Sequence, residues 1–122
     1  MPGARIDLLA TYLPEDFVHS INIPTATHPL GGDRHGKAAA LERFSLIFRE
    51  FDLKALETNP LAITAGDATI DVHTRCLHRP TGTWLNTTKR HLWKLELSWP
   101  VQLCELYNLD DFRSFAQAAH AV

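Results

Sequence analysis

The sequence predicts an α+β domain in which helices pack on one face of a curved antiparallel β-sheet. Three observations carry the prediction: an amphipathic helix over 37–51, a run of strand-forming segments from 52 to 108, and a short amphipathic segment closing the chain. At 122 residues the chain suits a single domain, 1–122, with one core. With 45% hydrophobic and 21% charged residues, it has enough apolar mass to offset the ordering entropy of folding.

The elements follow in order. Ile6 to Leu13 is mostly apolar and is stopped by Pro14, which predicts a short helix. Phe17 to Ile23 alternates with period two, so Phe17, His19, Ile21 and Ile23 share one face of a strand. Pro24 to Gly36 holds two prolines and three glycines and reads as a loop. Over 37–51 the residues Ala40, Leu41, Phe44, Ile47, Phe48 and Phe51 recur at helical spacing, with Glu42, Arg43, Arg49 and Glu50 assigned to the polar side. Leu53 to Thr64 contains Pro60, which cannot donate to a ladder, so an irregular or edge strand is expected. Ala65-Gly66-Asp67 is a turn, and Ala68 to Arg79 and Trp84 to Leu97 form a hairpin.

If Thr81-Gly82 is a two-residue loop, Val72 lies opposite His91 and Ile70 opposite Trp93. One face then carries Ile70, Val72, Thr74, Cys76, His91, Trp93 and Leu95. The other carries Asp71, His73, Arg75, Thr88, Arg90 and Lys94. The first is assigned to the core and the second to solvent or a partner. Ser98-Trp99-Pro100 turns the chain into a last strand, Val101 to Tyr107. Asn108 or Asp110 caps a final helix that buries Phe112, Phe115, Ala116 and Ala119.

Composition narrows the partners. A formal charge of -2 and no recurring basic face argue against nucleic acid. No apolar run approaches the roughly 20 residues that span a bilayer, and Met1 to Arg5 lacks the regions of a signal peptide, so no membrane is expected and the default location is the cytoplasm. Cys76 and Cys104 fall on second-neighbour strands, roughly 9 to 10 Å apart, too far for a disulfide. Seven histidines show no metal-ligand spacing, no phosphate loop precedes a helix, and neither a metal nor a cofactor is expected.

Specific residues sharpen the fold. Leu13-Pro14-Glu15-Asp16-Phe17-Val18, Gly31 to Ala39, the turn Thr81-Gly82 and Arg90-His91-Leu92-Trp93-Lys94-Leu95 resemble successive landmarks of SnoaL-like proteins, and Glu105-Leu106-Tyr107-Asn108 resembles that family's ending. The resemblance spans roughly residues 6 to 119. It implies the cone-shaped fold shared by ketosteroid isomerase, SnoaL and nuclear transport factor 2, with helices on the concave face of the sheet. The first helix is expected to be short, because few residues precede the second one.

The same resemblance nominates a site. His91 stands where ketosteroid isomerase carries an oxyanion-stabilising Asp, and His28 in His28-Pro29-Leu30-Gly31 stands where it carries a general base. An imidazole can donate to a developing enolate or exchange protons near neutral pH. For each, a core or loop histidine without catalytic duty is the competing reading. His19, Trp93, Tyr107 and Asn108 are expected to line the ligand pocket, although Asn108 replaces the Asp common in relatives and has no carboxylate. Two functions stand side by side: a cofactor-free isomerase or cyclase acting on a small hydrophobic carbonyl compound, and a non-catalytic binding module of the same fold. A homodimer through the outer sheet face is implied as well.

Overall fold

The computed structural model of the protein describes residues 2–121; Met1 and Val122 lie outside the described residues. Nine elements follow in chain order: α1 Pro2–Tyr12, β1 Val18–Ile21, β2 Gly32–His35, α2 Lys37–Glu50, β3 Phe51–Ile63, β4 Asp67–His78, β5 Thr83–Glu96, β6 Trp99–Tyr107 and α3 Leu109–His120. The strands form one curved six-stranded sheet in the order β2-β1-β6-β5-β4-β3. All neighbours run antiparallel except β1 and β6, which pair in parallel, so the sheet is mixed.

Most elements fall where the residues direct. Pro14 ends α1, and β3 is the expected edge strand, with ladder irregularities at Leu53/Ala55 and at Pro60/Ala62, where proline withholds its donor. Asn108 caps α3 by accepting the Asp111 backbone N–H at 3.0 Å. Phe112, Phe115, Ala116 and Ala119 then pack with Ile21, Ile23 and Leu85 into one core cluster. A second cluster joins Leu13, Phe17, Ala40 and Leu103, with Leu41, Phe44 and Trp93 against it.

Three expectations change. β2 lies inside the segment read as loop; its four residues alternate between half-buried and exposed and begin with Gly32, directly after Gly31, so neither apolar alternation nor β-propensity marks it. The β5–β6 turn is Leu97-Ser98, both at positive φ, and Trp99 and Pro100 already belong to β6. The β4–β5 connection is four residues, Arg79 to Gly82, and the register is shifted by two, pairing Val72 with Lys89 and Ile70 with His91. The ladder stops at His78 because Pro80 lacks a donor and Arg79 is engaged elsewhere. Its N–H donates to the Glu50 carbonyl at 2.8 Å, and its guanidinium gathers the Phe48, Arg49 and Phe51 carbonyls at the end of α2. A shift of two preserves the side-chain faces.

Candidate functional site

Strand alternation places Lys89 and His91 of β5 and Glu105 and Tyr107 of β6 on the inner face, and the antiparallel register sets His91 opposite Glu105 and Lys89 opposite Tyr107. The four side chains therefore meet. Glu105 is buried: its Oε1 accepts from Lys89 Nζ at 2.5 Å, and its Oε2 accepts from His19 Nε2. Lys89 Nζ also donates to the Tyr107 hydroxyl at 3.0 Å. His91 Nε2 lies 3.3 Å from Glu105 Oε1, but at an angle that makes no proper hydrogen bond.

Behind this group, α2 contributes Arg43, which is fully buried. Its Nε–H donates to His19 Nδ1 at 3.2 Å, which assigns the imidazole hydrogen to Nε2, the atom that donates to Glu105. The rest of the guanidinium donates to the backbone carbonyls of His19, Leu30, Gly31 and Gly32. Arg43 thus ties the β1–β2 loop to the helix. Burial lowers its pKa to about 10, which leaves it a cation at neutral pH. Gly31 is required where the loop folds back on its own start just past β1, since a Cβ there would lie 2.0 Å from the Ile23 carbonyl oxygen.

The electrostatics assign the protons. Burial alone would raise the Glu105 pKa, but the Lys89 charge and the hydrogen bond from His19 outweigh it and hold the carboxyl well below its ordinary range. Burial likewise opposes the Lys89 charge, and Glu105 more than restores it, so the ammonium persists above its usual range. Burial keeps His19 neutral by lowering its pKa, and raises the pKa values of Tyr107 and Cys76, so both stay protonated.

In front of the group opens a cavity of about 160 Å³. Its walls are apolar, from β1, α2, β3, β4, β5 and α3, with Ile21, Phe51, Val72, Leu85 and Phe112 among them. Its polar lining is confined to Thr74, Cys76, Lys89, His91 and Tyr107. Among the described residues no cluster of His, Cys, Asp or Glu is arranged to hold a metal ion, and no helix is long and apolar enough to cross a membrane.

The fold recurs in solved structures. A candidate isomerase from Rhodopseudomonas palustris superposes with a TM-score of 0.80 at 18% identity, over 93% of this chain and 82% of that one. A nuclear transport factor 2-like protein from Burkholderia xenovorans gives 0.80 at 13% identity, over 93% and 85%. The chain has the nuclear transport factor 2-like fold. A candidate SnoaL-like polyketide cyclase from Mesorhizobium loti shares this fold at a TM-score of 0.65 and 12% identity, over 86% and 98%. No protein-family model and no curated protein matches the sequence.

Within the nuclear transport factor 2-like frame, the residues expected at the site fall into two sets. His91 and Tyr107 line the cavity. His19 lies one layer behind, stacked on Phe44 and reaching the site only through Glu105. Trp93 shares the inner face but packs in the second core cluster beside Phe17 and Leu103. His28 sits behind Phe112, edge to face at 5.5 Å, and its Nδ1 accepts the Leu30 N–H. Asn108 is exposed and occupied in capping α3. Arg90 and Asp71 form a two-bond ion pair on the outer face, where His73 also meets Thr88.

Lys89, Glu105 and Arg43 were not singled out by sequence reasoning. The signal existed in their positions: Lys89 has the parity of His91, Glu105 the parity of Leu103 and Tyr107, and Arg43 stands three residues after the buried Ala40. A charged residue on an apolar face is rarely buried unless paired, so Lys89 and Glu105 on one inner face are each other's explanation.

Proposed function

We propose that the cavity binds a small hydrophobic molecule through an oxygen atom that accepts from Lys89 and Tyr107, and that His91 exchanges a proton with it, as a cofactor-independent isomerase or cyclase would require. One observation supports this above the others: the polar groups of an otherwise apolar cavity converge on adjacent strands, and two retain a donor. Lys89 spends two of its three N–H bonds on Glu105 and Tyr107. Tyr107, accepting from Lys89, keeps its own O–H to donate.

The chemistry follows from these roles. The carboxylate beside His91 Nε2 favours the tautomer with its hydrogen there, which leaves the lone pair on Nδ1. Nδ1 takes a proton from the carbon next to a ligand carbonyl, and the electron pair moves to the carbonyl oxygen, where Lys89 and Tyr107 stabilise the enolate. Return of the proton to another carbon completes an isomerisation; attack of the enolate carbon on a second carbonyl closes a ring, and the alkoxide so formed takes the proton back from His91. General-base catalysis of this kind contributes about 10²–10⁴ in rate, and a well-placed oxyanion donor about 10²–10³.

The non-catalytic reading has its own support, because Glu105 is ionised yet engaged by Lys89 and His19 and stands behind the lining, leaving His91 as the sole base. Acetophenone in D₂O separates the two. Faster deuteration of its methyl group with protein than with buffer, lost in His91→Ala, supports catalysis. Binding without faster deuteration supports the binding module, and absence of binding removes both. A homodimer through the outer face of Asp71, His73, Arg75 and Arg90 belongs to the same reading, and light scattering that gives a monomer at micromolar concentration removes it.

A further inference from the structure

Resting on the reading of Lys89 and Tyr107 as the oxygen site, we propose that the physiological ligand is an organic acid of one-ring size, held as its oxygen anion against the Lys89 ammonium.

Size comes first. A cavity near 160 Å³ is close to the engineered apolar cavity of roughly 150 Å³ that takes up benzene, so one ring and a small substituent match its volume. The apolar walls suit the ring, and the substituent must meet Lys89, His91 and Tyr107.

Charge then selects the substituent. The titratable groups at the site are Arg43 from α2, His19 from β1, Cys76 from β4, Lys89 and His91 from β5, and Glu105 and Tyr107 from β6, while the carboxylate that α3 brings nearest, Asp111, is exposed to solvent and accepts from Thr87. Glu105 balances one cation. The second, Arg43, meets no carboxylate within ion-pair distance among the described residues and is satisfied by carbonyls and by His19. Lys89 and Arg43 are thus two cations against the one buried carboxylate of Glu105, an excess of positive charge, and uncompensated charge away from water is costly. A neutral ligand leaves that charge in place. An oxygen anion cancels it, and converts the bonds from Lys89 and Tyr107 into charge-assisted ones.

Benzoate and benzamide, nearly equal in shape and differing by one charge at neutral pH, provide the test. Their affinities for the full chain are measured by calorimetry at pH 7.5. Benzoate is expected to bind at least about tenfold more tightly, in keeping with the greater strength of hydrogen bonds to charged groups. The double substitution Lys89→Met with Glu105→Gln removes both members of the ion pair together; it should weaken both probes and abolish the preference, bringing the two affinities within about twofold of each other. If that variant does not fold, Tyr107→Phe keeps the ion pair and should weaken benzoate more than benzamide. Equal wild-type affinities, or a preference that survives removal of the Lys89 charge, overturn the anion proposal while the oxygen-site reading stands. Failure of both probes to bind overturns the two together.

Discussion

Replacing Glu105 by Ala should be among the most damaging single changes in the protein, for a reason that can be worked out from the site. At 2.5 Å and an effective dielectric near 20, the attraction between Lys89 and Glu105 is roughly 6–7 kcal/mol. Desolvating the two ions costs several kcal/mol each, so the intact pair contributes little net stability. Its removal is another matter, because Lys89 stays buried with its desolvation no longer offset. Breaking a buried pair by deleting one partner costs about 3–5 kcal/mol. Urea denaturation at pH 7 should show that loss in Glu105→Ala, and the double variant Lys89→Met with Glu105→Leu should recover most of it. The pH dependence has a definite sign. Glu105 has a folded pKa below its unfolded value, so its stabilisation is present above the ordinary 4.5 and fades as pH falls through the depressed folded value. His19, with its folded pKa lowered from 6.5, acts in the same direction at higher pH: full stability holds above 6.5 and declines as pH falls toward its folded value. An unchanged urea midpoint in Glu105→Ala, or a loss that removal of Lys89 does not repair, would refute this account of the buried pair.

Three other outcomes follow. Arg43→Met should cost about 2–4 kcal/mol and speed amide exchange in residues 30–32, since it unties the loop carbonyls from α2; native-state hydrogen exchange checks both. Gly31→Ala should cost about 3 kcal/mol or more because of its 2.0 Å clash with backbone, whereas Gly82→Ala, at φ +71 with open space around it, should cost only about 1 kcal/mol; thermal unfolding of the two variants compares them directly. His91→Gln, which keeps a hydrogen-bonding side chain but cannot titrate, should retain ligand affinity within a few-fold and lose proton exchange, a split that NMR titration and deuteration rates read separately.

The inner and outer faces of the central hairpin were legible from alternation alone. The two-residue error in register did not disturb them, because a shift of two returns every side chain to its own face. That is why His91 and Tyr107 could be nominated for the cavity. What the sequence concealed was the connection between distant charges. Helical spacing assigns Arg43 to the polar side of α2, and only the return of the chain at Leu30, Gly31 and Gly32, whose carbonyls accept from it together with that of His19 in β1, explains its burial. Lys89 and Glu105 lie 16 residues apart and become partners through the β5–β6 register, which rests on the Leu97-Ser98 turn at positive φ, a turn without glycine or asparagine to announce it. His28 shows the converse: the family resemblance suggested a base there, yet its Nδ1 is engaged with nearby backbone, accepting the Leu30 N–H, while Asn108 serves as the helix cap its position announced.

The central claim is that Lys89 and Tyr107 receive a ligand oxygen inside the apolar cavity. A crystal structure with acetophenone bound tests it most directly. The account predicts the ring against Val72, Leu85 and Phe112, with the carbonyl oxygen within about 3.2 Å of both Lys89 Nζ and the Tyr107 hydroxyl. A ring bound elsewhere, or a carbonyl turned toward the cavity mouth with Lys89 and Tyr107 bonded only to each other and to Glu105, would contradict it.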